Sequence, residues 1–243
     1  MSDDRYRCSF DSVADRYERA RPAYADEAVA WIAERLPFER VLDLAAGTGK
    51  LTRQLVARGA EVVAVEPGDA MRAVLEQVVP EAQALAGSAE AIPLPDGSVD
   101  AVTVGQAFHW FRTGEALAEL HRVLRRGGGF ALLWNEWDDD DPLLHELNGL
   151  VDALRPEGTH EARATWQAAL DASPLFAAFD ERAFRHSERL GADTIVDRVA
   201  SVSAVAAAAQ EEQARVEARV RALVREGEVD FPLITSVIVS DRV

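Results

Sequence analysis

The spacing of apolar residues changes period along the chain, and each change predicts an element. Phe10 to Leu36 reads as helix broken at Arg21-Pro22, with Ala28, Ile32, Ala33 and Leu36 at helical spacing and Asp26 placed to cap the second piece. At Arg40-Val41-Leu42-Asp43-Leu44 the period collapses into a short apolar run that ends in the turn Ala45-Ala46-Gly47-Thr48-Gly49. A helix follows with Leu51, Leu55 and Val56 on one face, closed by Gly59. Glu61 to Glu66 is a β-branched run without alternation, as a strand buried on both faces requires. Strand, helix, strand at this spacing is a βαβ unit, hence parallel pairing with a right-handed crossover.

The alternation continues through a helix at Ala70 to Val79 and strands at Ala82 to Ala86, Ser98 to Val104 and Gly129 to Trp134. A helix over Thr113 to Leu124 separates the last two and stops at Arg125-Arg126-Gly127-Gly128-Gly129. Asp138 to Phe179 breaks the rhythm and reads as a helical insertion over the C-terminal edge of the sheet. Phe184 to Arg189 and Leu233 to Val239 are predicted as two further strands around a mostly helical Asp193 to Glu226, whose stripe is Val216, Val220, Leu223 and Val224. The prediction is an α/β fold: a doubly wound, Rossmann-like, seven-stranded and mostly parallel sheet with a helical insertion. No repeat or linker divides it. Residues 1–243 are expected to form one domain, with 1–37 an N-terminal helical cap and 138–179 roofing a substrate pocket.

Composition narrows the function. The formal charge of −16 argues against nucleic acid, whose phosphates are bound by Lys and Arg, and against an anionic membrane surface. Cys8 is the only cysteine, so neither an internal disulfide nor a cysteine metal cluster is open to the chain. The start Met1-Ser2-Asp3-Asp4-Arg5 lacks the order of a signal peptide, and Val199 to Ala209 is too short to span a bilayer. A soluble cytoplasmic protein is expected. Asp138 to Asp141 reads as a solvated turn, and no metal site is expected.

In an open parallel sheet the ligand sits beyond the C-terminal strand ends, where the loop Asp43 to Gly49 lies and Glu66 ends the next strand. Glycines let a ligand approach backbone, and an acid there can accept ribose hydroxyls. A triphosphatase loop fails, because position 44 is Leu44 where glycine is needed and Leu51 follows Lys50 where a hydroxyl is needed. A dinucleotide fingerprint needs a third glycine where Thr52 stands, and the chain's single lysine, Lys50, excludes a Tyr-x-x-x-Lys pair because Ala46 precedes it by four. An NAD-dependent oxidoreductase is therefore disfavoured.

Against that background, Val41 to Thr52 resembles the first motif of class I S-adenosylmethionine (SAM)-dependent methyltransferases, and Ala64 to Met71 resembles the second. Gly87 to Asp96 is similar to the third, Val102 to Phe111 to the motif after the fourth strand, and Leu120 to Gly128 to the helix and turn before the fifth. The five together resemble the methyltransferase type 11 subfamily, and the tail from Arg189 to Val239 looks like its trans-aconitate-methyltransferase-like branch.

The resemblance implies transfer of a methyl group from SAM, leaving S-adenosylhomocysteine, to a small-molecule acceptor, with O-methylation favoured. It puts Asp43 under the methionine amino group, with Ala45, Gly47, Thr48 and Gly49 lining the loop and Glu66 on the ribose. Pro67 and Met71 would flank the adenine, and Ser88, Ala89 and Glu90 fall where the adenine amine is read. Gln106 falls at the methionine end, and Tyr17 and Arg21 in a segment that closes over the cofactor. Two positions depart from the family pattern: Ala45 replaces a glycine, tolerable if its φ stays negative, and Ser88 replaces an aspartate. His109 is the candidate catalytic base; packing in the pocket wall is its other reading, since in-line displacement depends on alignment more than on acid–base chemistry. A SAM-binding protein without catalysis is the alternative class.

Overall fold

The computed structural model describes residues 18, 20–155, 166–224 and 227–243. The apolar runs form strands β1 (Arg40–Leu44), β2 (Glu61–Val65), β3 (Gln83–Leu85), β4 (Val99–Gly105) and β5 (Leu124–Trp137). Two later strands, β6 (Asp180–Gly191) and β7 (Glu228–Asp241), complete a seven-stranded sheet of order β3-β2-β1-β4-β5-β7-β6. Pairings from β3 to β5 are parallel, whereas β7 runs antiparallel to both β5 and β6, so it is the one reversed strand. The doubly wound, mostly parallel sheet expected from the sequence is the sheet observed.

Alternate residues point to opposite faces, and each face meets its own helices. On one, Leu42, Leu44, Val102, Val104, Phe130, Leu132 and Trp134 pack beneath α4 (Thr113–Val123) and the helical residues 166–171. On the other, Val41, Ala101, Ala131, Leu133, Val237 and Val239 meet α1 (Asp26–Arg35) and α2 (Lys50–Ala57). The helix α3 (Asp69–Val78) follows β2 and buries Met71 and Leu75.

A third core lies outside both layers. β5 and β7 run on past the parallel strands, pairing Trp137 with Leu233 at their far end. There Phe231 and Leu233 are covered by α5 (Pro142–Asp152), α6 (Ala192–Ala200), α7 (Ser203–Ala206) and α8 (Gln210–Leu223). This cap draws on two stretches of chain, so the helical material expected as one insertion divides. Leu144, Leu147 and Val151 of α5 join the cap, while Trp166 and Leu170 return to the sheet against Phe108 and Trp134.

Two local expectations change. Asp26 is the first helical residue of α1, not its cap; the N-cap is Ala25, whose amide donates to the Thr235 hydroxyl at 3.0 Å. Strand β6 extends well beyond Phe184 to Arg189, because an edge strand faces water and carries charge where the apolar pattern looks for hydrophobes.

Candidate functional site

The site grows from the C-terminal ends of β1, β2, β4 and β5. Asp43, on the face of β1 that meets α2, is 1% exposed. One carboxylate oxygen accepts from the Thr52 hydroxyl at 2.6 Å and the other from the Thr103 hydroxyl at 3.1 Å. Burial pushes its pKa up to about 7 against those two bonds, and the nearby Glu66 adds to the rise.

Beyond Asp43 the backbone turns left-handed three times before α2 begins. Ala45 has φ of 55°, Gly47 of 58° and Gly49 of 88°. The negative φ on which alanine at 45 would be comfortable is therefore not adopted, and Ala45 carries the steric cost glycine would have avoided, about 1–2 kcal/mol. Gly49 is doubly required: it is the left-handed N-cap of α2, and a Cβ there would lie 3.1 Å from Val79 and 3.2 Å from Leu75.

Glu66 ends β2 and fastens the loop. Its carboxylate accepts from the Gly47 amide and from the Gly68 amide, each at 2.8 Å. A carboxylate offers about four acceptor sites, enough to hold two amides and also take a vicinal diol.

After β4 the chain turns sharply at Gln106, whose φ of 59° is the second left-handed non-glycine among the described residues. Its amide donates to Leu133 O and its side-chain nitrogen to Asn135 O, both at 2.8 Å. Asn135 in turn donates to Ala23 O at 2.9 Å and accepts from the Thr235 hydroxyl at 2.5 Å. Because Thr235 gives its one proton to Asn135 and receives one from Ala25, the contact with His186 Nε2 at 3.2 Å needs that nitrogen to donate. Burial holds His186 below the usual histidine range.

This network ties the segment carrying Arg21, Pro22 and Tyr24 across the strand ends. A Cβ at Gly105 would collide with the Tyr24 hydroxyl, so glycine is needed for the segment to lie this close. Further back, Glu18 reaches the loop, accepting from the Thr48 hydroxyl at 2.6 Å and lying 3.3 Å from Lys50. Burial alone would raise the Glu18 carboxyl, but Thr48, Arg53 and Lys50 outweigh it and hold it low. The result is a cavity of about 50 Å³ lined by Arg21, Tyr24, Asp43, Ala45, Thr48 and Gln106 with their neighbours.

Of the residues named from the sequence, Arg21, Asp43, Ala45, Gly47, Thr48 and Gln106 line this one cavity, with Glu66 joined to them through Gly47. Tyr17 lies outside the described residues. The predicted adenine-side residues occupy the ends of β2 and β3, apart from this cavity: Met71 is buried, Pro67 is exposed, and Ser88 bridges to Ala91. Glu90 turns its carboxylate to the Arg112 amide at 3.0 Å, which fixes the start of α4. His109 sits in a short 3₁₀ turn, Phe108–Trp110, exposed and 4.7 Å from the Trp110 ring, and is not among the cavity's lining residues.

Each of the four consecutive aspartates is held by a partner within the protein. Asp138 and Asp140 pair with Arg185, Asp139 with His145 and Asn148, and Asp141 caps α5 through the Leu143 and Leu144 amides. Sequence reasoning did not place Glu18, Tyr24, Asn135 or Thr235. For Asn135 a signal existed: a polar residue just past the apolar run of β5, at the ligand-bearing strand ends.

A doubly wound sheet whose second strand is followed by an acid clamped to a glycine loop is an architecture of the Rossmann-like α/β class. Residues 42–132 match the methyltransferase-domain family. An uncharacterized methyltransferase of Mycobacterium tuberculosis is 49% identical over 143 residues, 59% of this chain and 58% of that protein. The match thus spans less than two thirds of that relative's length. An uncharacterized methyltransferase-like protein of Schizosaccharomyces pombe is 35% identical over 210 residues, 85% of this chain and 81% of that one. Among solved structures, one assigned as a type II methyltransferase from Anaeromyxobacter dehalogenans superposes with a TM-score of 0.69 at 25% identity, covering 91% of this chain and 97% of its own. The chain belongs to the class I SAM-dependent methyltransferase family.

Proposed function

We propose that the protein transfers a methyl group from SAM to an oxygen of a small-molecule acceptor by in-line displacement. The observation that carries the reading is the Glu66 carboxylate held by the Gly47 and Gly68 amides beside the buried Asp43. That pair suits the two ends of one ligand: Glu66 would accept the ribose hydroxyls, and Asp43 would face the methionine ammonium. Gly47, Thr48 and Gly49 would border the ligand with backbone, and Arg21 would supply positive charge toward a carboxylate at the cavity's N-terminal wall. Met71, Pro67 and the 88–90 turn would flank the base. When bound, SAM supplies a methyl group activated by a positive sulfur, so the acceptor needs a lone pair aimed along the carbon–sulfur axis.

The chain's own part is then chiefly alignment. Gln106, held by Leu133 O and Asn135 O, would shape the methionine end, while the Tyr24 segment excludes water from above. An oxygen nucleophile that is already ionised needs no base, which agrees with His109 standing outside the cavity's lining residues. The cap over α5 to α8 would supply the acceptor's selectivity.

Calorimetric titration with SAM and S-adenosylhomocysteine tests the cofactor. Saturable binding is expected for both, weakened about a hundredfold in Glu66→Ala by loss of two charge-assisted hydrogen bonds. Equal binding in wild type and Glu66→Ala would remove the observation on which the reading stands. For His109, a turnover in His109→Ala close to wild type is expected once an acceptor has been found by labelled-methyl screening; a collapse would restore the base role.

A further inference from the structure

The candidate site's cavity reaches the C-terminal ends of β4 and β5 at Gly105, Gln106 and Asn135; a second recess lies at their N-terminal ends. It measures about 530 Å³ and is lined by Asp96, Gly97, His121, Arg122, Arg125, Arg126 and Arg242. The seven residues of β4 put about 20 Å of strand between the two places, so neither cofactor nor acceptor at the first can reach the second.

In a chain of net charge −16, four guanidiniums from three elements meet here. Their partners differ. Arg122 is saturated by Glu119, Asp96 and the Ile92 and Leu94 carbonyls. Arg125 pairs with Asp100 at 2.8 Å. Arg242, by contrast, donates to neutral groups, Leu124 O and His121 Nε2. Arg126 is exposed, with no hydrogen bond or ion pair among the described residues. Asp96 is the one carboxylate in the lining, and it is bonded to Arg122.

Two guanidiniums therefore face one recess without a carboxylate of their own. Like charges held on fixed backbone repel, and an anion between them relieves the repulsion. Arginine forks match the tetrahedral oxygens of a phosphate in bidentate fashion. A small anion is favoured over a nucleic-acid polymer, because the chain as a whole carries a net charge of −16.

We propose that this recess is a second binding site, for a small phosphate-bearing anion, with Arg126 and Arg242 as its principal donors. The proposal is independent of the methyl-transfer reading, since it uses none of the same residues.

Titration of the full chain with inorganic pyrophosphate at low ionic strength tests it. One saturable site is expected, weakened about tenfold in Arg126→Ala and again in Arg242→Gln, each losing a charge-assisted contact. Arg126 is exposed, so its variant retains the fold, which thermal melting checks. Arg215→Ala removes an exposed charge from α8 and is expected to leave binding unchanged. No saturable binding overturns the proposal, and so does equal weakening by Arg215→Ala, which marks diffuse attraction. Unaltered binding in Arg126→Ala does the same.

Discussion

The cap and the loop between β1 and α2 are built on opposite principles. In the cap, Leu144, Leu147, Val199, Val220, Phe231 and Leu233 form an apolar core, edged by the Arg198 guanidinium 4.9 Å from the Phe231 ring. In the loop, a buried carboxylate, two left-handed non-glycine residues and a run of hydrogen bonds crowd into a few ångströms. One region gains stability from its contacts. The other holds polar groups and backbone in costly arrangements that only the sheet beneath it can enforce. Left-handed backbone and a buried carboxylate are concentrated at the loop, whereas the cap's one buried charge among the described residues, Arg198, is paired with Glu188 and donates to Ala20 O.

The comparison can be broken most forcefully at Phe231. Phe231→Ala is expected to lower unfolding free energy by about 3–5 kcal/mol, measured by urea denaturation, because a buried ring leaves a cavity that four helices cannot all close. A loss under 1 kcal/mol would mean that the cap does not rest on apolar packing. Thr235→Val follows in size. It strips a hydroxyl that serves Asn135, Ala25 and His186 and strands the Ala25 amide, costing about 2–3 kcal/mol and weakening SAM binding with it. Wild-type cofactor affinity in that variant would show that the N-terminal segment is not held by this network.

Asp43 sharpens the contrast through pH. Its folded pKa, about 7, lies above the usual carboxylate value of 3.8, so the folded chain keeps a proton that the unfolded chain has released. Stability is fully present below the lower value and declines as pH rises towards the upper one. SAM affinity moves the other way, since an ammonium favours the ionised carboxylate. A gain of roughly tenfold is expected between pH 5.5 and pH 7, followed by calorimetry and abolished in Asp43→Asn. A flat profile in the wild type would mean that Asp43 does not face the ligand's charge. The smallest effect is at Ala45. Ala45→Gly should raise stability by about 0.5–1 kcal/mol, the relief of a left-handed alanine less the added freedom of the unfolded chain. Destabilisation would show that the alanine methyl is packed rather than strained.

The same contrast explains what the sequence disclosed. Strands β1, β2 and β4 and the loop between β1 and α2 were legible because parallel strands buried on both faces write themselves as unbroken apolar runs, and glycine marks the turns between them. Asp43, Gly47 and Gln106 could be placed for that reason. Asn135 and Thr235 could not, because their partners lie on strands 100 residues apart in sequence. Edge strand β6 hid its start behind the charged side chains Asp180, Glu181 and Arg182. The division of the 138–179 segment was also invisible, since Leu147 and Leu170 look alike in a helix and only the tertiary fold sends one to the cap and the other to the sheet. The left-handed Ala45 was hidden for a simpler reason: a sequence records which residue is present, not the torsion it is made to adopt.

The reversed strand carries a consequence for how the molecule is made. Because β7 lies between β5 and β6, the ribosome releases β6 before the neighbour it must join. Until residues 228–241 emerge, β5 presents a bare edge and β6 has no place in the sheet, so the growing chain carries two unpaired ribbons at once. Translation thus sets an order of events in which the five-stranded parallel half can close early, while its last seam waits for the final strand to be threaded in. A pause in synthesis just before Glu228 would hold the nascent chain at its stickiest moment, where a chaperone has the most to protect.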